Sequence, residues 1–445
     1  MKYPQTIAFL VISLSIGLAG RTSADPVEYF TNKGFDKPVS TMQHPNAEYY
    51  NGVTYIAYQG PHEDPYVCAY DHTKATWSGP FKAGISPLGK TPDPTDHGPV
   101  DNHGRPSLLV DGQGYIHIIF GGHGGDRKLG ENHHGTPGRG KQIHVVSKNP
   151  EDISSWEILD NVSPFGTYPQ FVKMPDGDIY LFYRHGSHRS DWVYQKSTDD
   201  CRTFQPPVSI LKHKPQAADP NIHDSWYVWF HQGKGDAIAA TYNHHPCARR
   251  DHSSLRVNVY YMTLNCGTDT WENVKGDALT LPISKAYADA NTRVIQSEES
   301  IRRVTLRVDA KGHPHLFHRE KGHLVYYRWH EDAWQRWVVF TPKYRVTDAD
   351  FRIESPDVIR LLVTVKTKGL NEVCWWKTEN GGQSWDKENS LISNDTNITY
   401  LMGSLVRNAH PDAQAVVSEV NPNQENLYRK LFLFGQNGPV RRVEE

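Results

Sequence analysis

One pattern recurs along the chain and limits what it can fold into more than any other feature does. It is a short apolar run, an Asp-Gly or Asn-Gly turn, and a second run rich in aromatics. The stretch 101–125 shows it most plainly: Ser107 to Val110 and Ile116 to Phe120 are apolar, and Asp111-Gly112-Gln113-Gly114 between them tolerates positive φ. Related units start at His44, Tyr168, Trp226, Val304, Asp350 and Ser404, giving seven hairpins in all. Repetition at this spacing is expected of propeller blades, which stack radially and leave only short, protected edges. The pattern therefore predicts an all-β chain folded as a seven-bladed β-propeller.

Two further turns support the repeat. Ser197 to Phe204 and Thr378 to Trp385 resemble the Asp-box turn of sialidase-like propellers, the first with Cys201 where glycine is usual. Their Asp or Asn caps the turn and the closing aromatic packs between blades. A β-sandwich would need two apolar layers and accounts poorly for seven similar units. Long helical periodicity is absent, and no linker or low-complexity segment divides the chain, so residues 25–445 read as one catalytic domain. Residues 1–24 read as a signal peptide: Lys2, an apolar stretch from Ile7 to Leu18, and the small residues Thr22-Ser23-Ala24. The mature protein is then expected to be secreted, extracellular or periplasmic, monomeric and free of the membrane. A formal charge of −2 supplies no global field for nucleic acid, yet a local cluster of Arg, Lys and His can still meet a polyanion. The five cysteines form no regular framework, and an odd number leaves at least one thiol unpaired or metal-bound.

Candidate chemistry comes from aligning the repeats. His103 lies eight positions before Asp111 and Tyr168 eight before Asp176, so they are equivalent in neighbouring units. His123 and Arg184 sit at the far ends of the following strands, which hairpin geometry returns to the same mouth. Removing a proton alpha to a carboxylate needs the carboxylate neutralised, a base, and an acid for the leaving oxygen. Arginine binds carboxylates in bidentate fashion, and histidine and tyrosine transfer protons. The quartet suits β-elimination on a uronic acid better than hydrolysis, which wants two carboxylates at fixed separation. Taken singly, each residue has an ordinary structural reading, as a surface histidine, a packed aromatic or a salt-bridge partner. Two other readings stand beside elimination: a sialidase-like glycoside hydrolase, and a non-catalytic carbohydrate-binding propeller.

A second cluster spans 242–252. His223, His244, Cys247 and His252 are candidate zinc ligands, with His245 and Asp251 as substitutes. The alternative is a polar loop carrying an unpaired thiol. Arg249 and Arg250 are candidate substrate contacts, and Arg139 and Lys141 could also meet sulfate or carboxylate groups.

Taken together, N-H-G-R-P, G-G-H-G-G, T-Y-P-Q-F and F-Y-R-H-G resemble the motifs of the propeller-type ulvan lyases, polysaccharide lyases with BNR-like repeats. The resemblance covers essentially the whole mature chain. It implies cleavage between 3-sulfated rhamnose and a uronic acid, leaving an unsaturated uronate. It places His103, His123, Tyr168 and Arg184 on the catalytic motif. Arg184, helped by His103, would hold the carboxylate, while His123 and Tyr168 share base and acid duties. It also implies a structural zinc beside the active site, fixing a loop rather than activating water.

Overall fold

The computed structural model describes residues 1, 26–89, 100–248, 255–301, 303–340, 345–422 and 427–443. The segment read as a signal peptide lies outside them, apart from Met1.

Alternation of apolar and polar residues, broken by turns, produces an almost purely β structure. Among the described residues the pairings give four four-stranded sheets, a six-stranded sheet, a nine-stranded sheet and a two-stranded pair, and in most of them neighbouring strands follow one another in sequence. The second unit runs Ser107–Val110, Ile116–His123, Arg139–Ser147 and Trp156–Leu159. The third runs Gly166–Lys173, Ile179–His185, Trp192–Ser197 and Val208–Leu211. In the fourth, Ile222–Gln232 and Ala237–Ala248 form a long hairpin. Arg407 in the first strand of the last unit bridges in parallel to Glu48 of the first unit, and His44, just ahead of the first unit's strands, bridges in parallel to Gln170 of the third. This is the propeller arrangement, with the first strand of each unit facing a central channel.

The ring is closed by both ends of the chain. Thr31–Phe35 pairs with Tyr428–Gly435, completing the last unit with a strand from the N-terminal side. Pro26–Val27 pairs with Arg442–Val443 outside it. Between units the core is aromatic. Trp192, Trp226 and Trp271 are among the largest fully buried side chains, and Phe182 stacks on Phe230 of the next unit at 3.8 Å. Burial of such surface, at roughly 25 cal/mol per Å², is what fixes one unit against the next.

The two Asp-box-like turns have matching geometry. Asp199 Oδ1 accepts from Thr203 N at 2.9 Å, and Asn380 Oδ1 accepts from Ser384 N at 3.0 Å. Cys201 and Gly382 occupy the equivalent left-handed position, with φ of 61° and 97°. All five cysteines are unpaired in the structure.

Candidate active site

The hairpin of the second unit brings His103 and His123 together as its sequence requires. His103 sits in a short turn, Asn102–Gly104, capped by Asp101, whose carboxylate accepts from the His103 backbone N–H. His123 ends the second strand of the hairpin, Ile116–His123. Their rings stack with centroids 3.6 Å apart. Glycines beside His123 serve the protein's own packing. A Cβ on Gly122 would lie 2.2 Å from the Gly166 carbonyl oxygen, and one on Gly124 2.6 Å from Ser187 N. The third unit therefore approaches closely on both sides of the histidine.

Asp101, which the motif reading passed over, organises the pair. One carboxylate oxygen accepts from His103 Nδ1 at 2.5 Å. The other accepts from His123 Nδ1 at 2.8 Å and meets Arg139 Nε at 2.6 Å. Burial opposes its charge, but the hydrogen bonds from His103 and His123 outweigh burial and hold its pKa far below the usual carboxylate range. An ionised carboxylate only accepts, so both imidazoles carry their proton on Nδ1 and, when neutral, present a lone pair at Nε2. Burial, with Asp101 opposing it, brings His103 down to about 4. His103 is therefore neutral near pH 7, and carboxylate neutralisation falls chiefly to arginine.

Tyr168 lies 5.3 Å from His103, ring to ring. The strand bulges between Thr167 and Gln170, and Tyr168 takes φ of 61°, a left-handed conformation that costs about 1–3 kcal/mol in a non-glycine residue. The bulge turns the phenol into the mouth. Burial raises its pKa, with the nearby Tyr227 adding to the effect. At neutral pH the phenol keeps its proton. Its hydroxyl makes no hydrogen bond among the described residues.

Arg184, fully buried, stacks its guanidinium over Tyr168 at 5.0 Å and Tyr227 at 5.7 Å. Both terminal nitrogens are buried without a hydrogen bond of acceptable geometry. A buried guanidinium left in this state is costly, and a carboxylate would satisfy both nitrogens at once. Arg256 also lies over the Tyr227 ring, at 3.8 Å. Burial pushes the Tyr227 hydroxyl up, but Arg256 and Arg184 more than offset it and leave its pKa below the ordinary value. Sequence reasoning missed Tyr227 and Arg256, which share no motif with the quartet.

The candidate metal ligands separate. His244 and His245 are neighbours in one strand, so their side chains project to opposite faces. His244 bonds Asp224 at 2.9 Å, away from Cys247. His223 faces Cys247 across the strand pair but stacks on His213 at 6.2 Å and does not join the donor cluster. The correction is that His188, His245 and Cys247 converge, with donor atoms all within 4.8 Å of one another. His188 also reaches the donor atoms of His103 and His123 within the same distance. Two imidazoles and a thiol suit Zn2+. Arg249, Arg250, Asp251 and His252 lie outside the described residues. Lys141 pairs with the exposed Asp160 at 3.4 Å rather than facing the histidines.

Comparison with known proteins gives the family. A model described as BNR repeat-containing family member matches residues 53–340. An ulvan lyase of Nonlabens ulvanivorans is 42% identical over 98% of this chain and 97% of its own length. One from Alteromonas sp. (strain LOR) is 42% identical over 95% and 89%. A solved PL25 ulvan lyase bound to -[GlcA(1-4)Rha3S]- is 39% identical with a TM-score of 0.88, covering 94% of this chain and 98% of that one. Fold and relatives together define a propeller-type polysaccharide lyase. The chain belongs to the ulvan lyase family, within the BNR-repeat proteins.

Proposed function

We propose that the protein is secreted and cleaves ulvan by β-elimination at the uronic acid, between that sugar and 3-sulfated rhamnose. The single observation that carries this reading is Arg184, a buried cation with both terminal nitrogens unsatisfied beside two proton-transfer groups. Arg184 receives the uronate carboxylate, which makes the C5 proton more acidic and stabilises the charge that develops when it leaves. His123, its Nδ1–H fixed on Asp101, takes the C5 proton at Nε2. The C4–C5 double bond forms, the C4–O4 bond breaks, and the protonated Tyr168 hydroxyl delivers its proton to O4. The epimer that turns its C5 proton toward Tyr168 exchanges the two roles. The raised pKa of Tyr168 makes that the more demanding case.

His188, His245 and Cys247 would hold a zinc ion, with a fourth ligand from outside this trio. Bound there, zinc would supply structural cross-linking between the third and fourth units, holding His188 beside the catalytic histidines. No proton transfer passes through it.

Purified protein incubated with ulvan should show rising ultraviolet absorbance from the conjugated unsaturated uronate, and His123→Ala should abolish it. Absorbance that survives His123→Ala would refute the catalytic assignment. No absorbance on ulvan or on other uronate polymers would refute the activity and favour a hydrolase or a binding propeller.

A further inference from the structure

A second cavity lies farther along the central channel, away from the catalytic mouth. It has a volume of about 430 Å³, within the ~300–1,000 Å³ range of small-molecule sites. Two of its walls continue the strands that carry Tyr168 and Tyr227. Phe171 follows Tyr168 by three residues and Phe230 follows Tyr227 by three. At about 3.3 Å per strand residue, this sets the cavity on the order of 10 Å further down the channel.

Four cations face it, Lys173, Arg307, Arg352 and Arg407, and no Asp or Glu is among its lining residues. The carboxylates that accompany them are set behind. Arg307 pairs with Asp350 at 2.7 Å and Arg407 with Glu48 at 3.6 Å, and both carboxylates are about 1% exposed. Arg352 meets Glu354 at 3.4 Å, but Glu354 also serves Arg360 at 3.0 Å. Lys173 has no carboxylate partner among the described residues; its amine bonds only the Val110 carbonyl, at 3.0 Å. Four cations against three carboxylates leave one positive charge uncompensated. Moreover, Arg407 Nη1 and Arg352 Nε are buried and make no hydrogen bond. Cationic side chains lining one cavity favour an anion that can accept from several of them at once.

We infer that this cavity is a second, non-catalytic anion site, taking a small solute with sulfate or carboxylate groups and no larger than a disaccharide. It shares no residue with the His103–His123–Tyr168–Arg184 cluster, so its occupancy does not depend on the elimination mechanism.

The test is isothermal titration calorimetry at low ionic strength with two probes, inorganic sulfate and the purified sulfated disaccharide released from ulvan. Each is titrated into the wild type and the double variant Lys173→Met/Arg407→Gln. The expected result is that at least one probe binds the wild type and that the double variant binds it at least tenfold more weakly, with kcat on ulvan within twofold of the wild type. Tighter binding of the disaccharide identifies a saccharide as the occupant, and binding of sulfate alone identifies a simple anion; both support the site. Absence of binding by either probe overturns it, as does any smaller loss in the double variant, which would locate the bound anion elsewhere. If removing Arg407 unfolds the chain, Lys173→Met alone keeps the test, with at least threefold weaker binding expected and a smaller change overturning the site.

Discussion

Replacing Asp101 by asparagine tests the organisation of the active site most sharply. The carboxylate accepts at its two oxygens from His103 Nδ1, His123 Nδ1 and Arg139 Nε, at 2.5, 2.8 and 2.6 Å. An amide of the same shape offers one oxygen, and its NH2 group then faces a donor. The ring opposite the NH2 group must flip its tautomer or lose its bond. Bonds to a charged acceptor are worth roughly 1.5–3 kcal/mol each, so one or two lost bonds also loosen the stacked pair. If His123 adopts the other tautomer, Nε2 carries a proton and cannot act as a base. General-base catalysis typically contributes ~10²–10⁴ in rate, so kcat should fall by about that factor, a barrier increase of about 3–5 kcal/mol. KM should change little, because Arg184 and its cradle are untouched. The assay is the initial rate of unsaturated-uronate formation with saturating ulvan, with circular dichroism as the check on folding. A folded Asp101→Asn variant with kcat within tenfold of the wild type would refute the tautomer argument.

Other expectations follow from the same geometry. Arg184→Met should lower kcat/KM by at least ~10²-fold while leaving urea stability unchanged or raised by about 1–3 kcal/mol, because it removes buried unsatisfied donors; a loss of stability would show that Arg184 is structural. Tyr168→Phe should abolish turnover but keep ulvan oligosaccharide binding within about threefold, since the ring remains and only the hydroxyl that donates to O4 is lost; retained turnover would remove Tyr168 from the mechanism. His103 is held at about 4 in the folded chain against an ordinary 6.5. Its neutral ring therefore favours the fold fully above pH ~6.5, and that contribution is lost as pH falls toward ~4. Urea midpoints at both ends of that window should fall less in His103→Gln than in the wild type, and an equal fall would contradict the assignment. Elemental analysis should find zinc in the wild type and little in Cys247→Ser; equal content in the two would exclude Cys247 as a ligand.

How far the sequence could be read depended on whether a contact was local. His103 and His123 flank one Asp-Gly hairpin, so the turn chemistry alone brings their strand ends together. Tyr168 and Arg184 followed from aligning that hairpin with the next, since equivalent positions in stacked units meet at one mouth. Asp101 was within reach: an acidic residue two positions before a histidine at a turn start is a capping signal, and the cap here also holds both rings. Tyr227, Arg256 and His188 gave no such signal, because they join the site through packing between the third and fourth units. The choice between His244 and His245 needed the register of one strand pair, which a one-residue step inverts. Closure of the ring by Thr31–Phe35 was equally hidden, since that strand carries no Asp-Gly turn and its partner lies at the opposite end of the chain.

Elimination through the histidine–tyrosine–arginine mouth leaves a different product from hydrolysis, and mass spectrometry of the products formed from ulvan in water enriched in heavy oxygen tells the two apart. Elimination predicts oligosaccharides with an unsaturated uronate at the new non-reducing end and no heavy oxygen incorporated during bond cleavage. Saturated products carrying one heavy oxygen at each cleaved bond would mean that water attacks the glycosidic linkage, and would contradict elimination at this mouth.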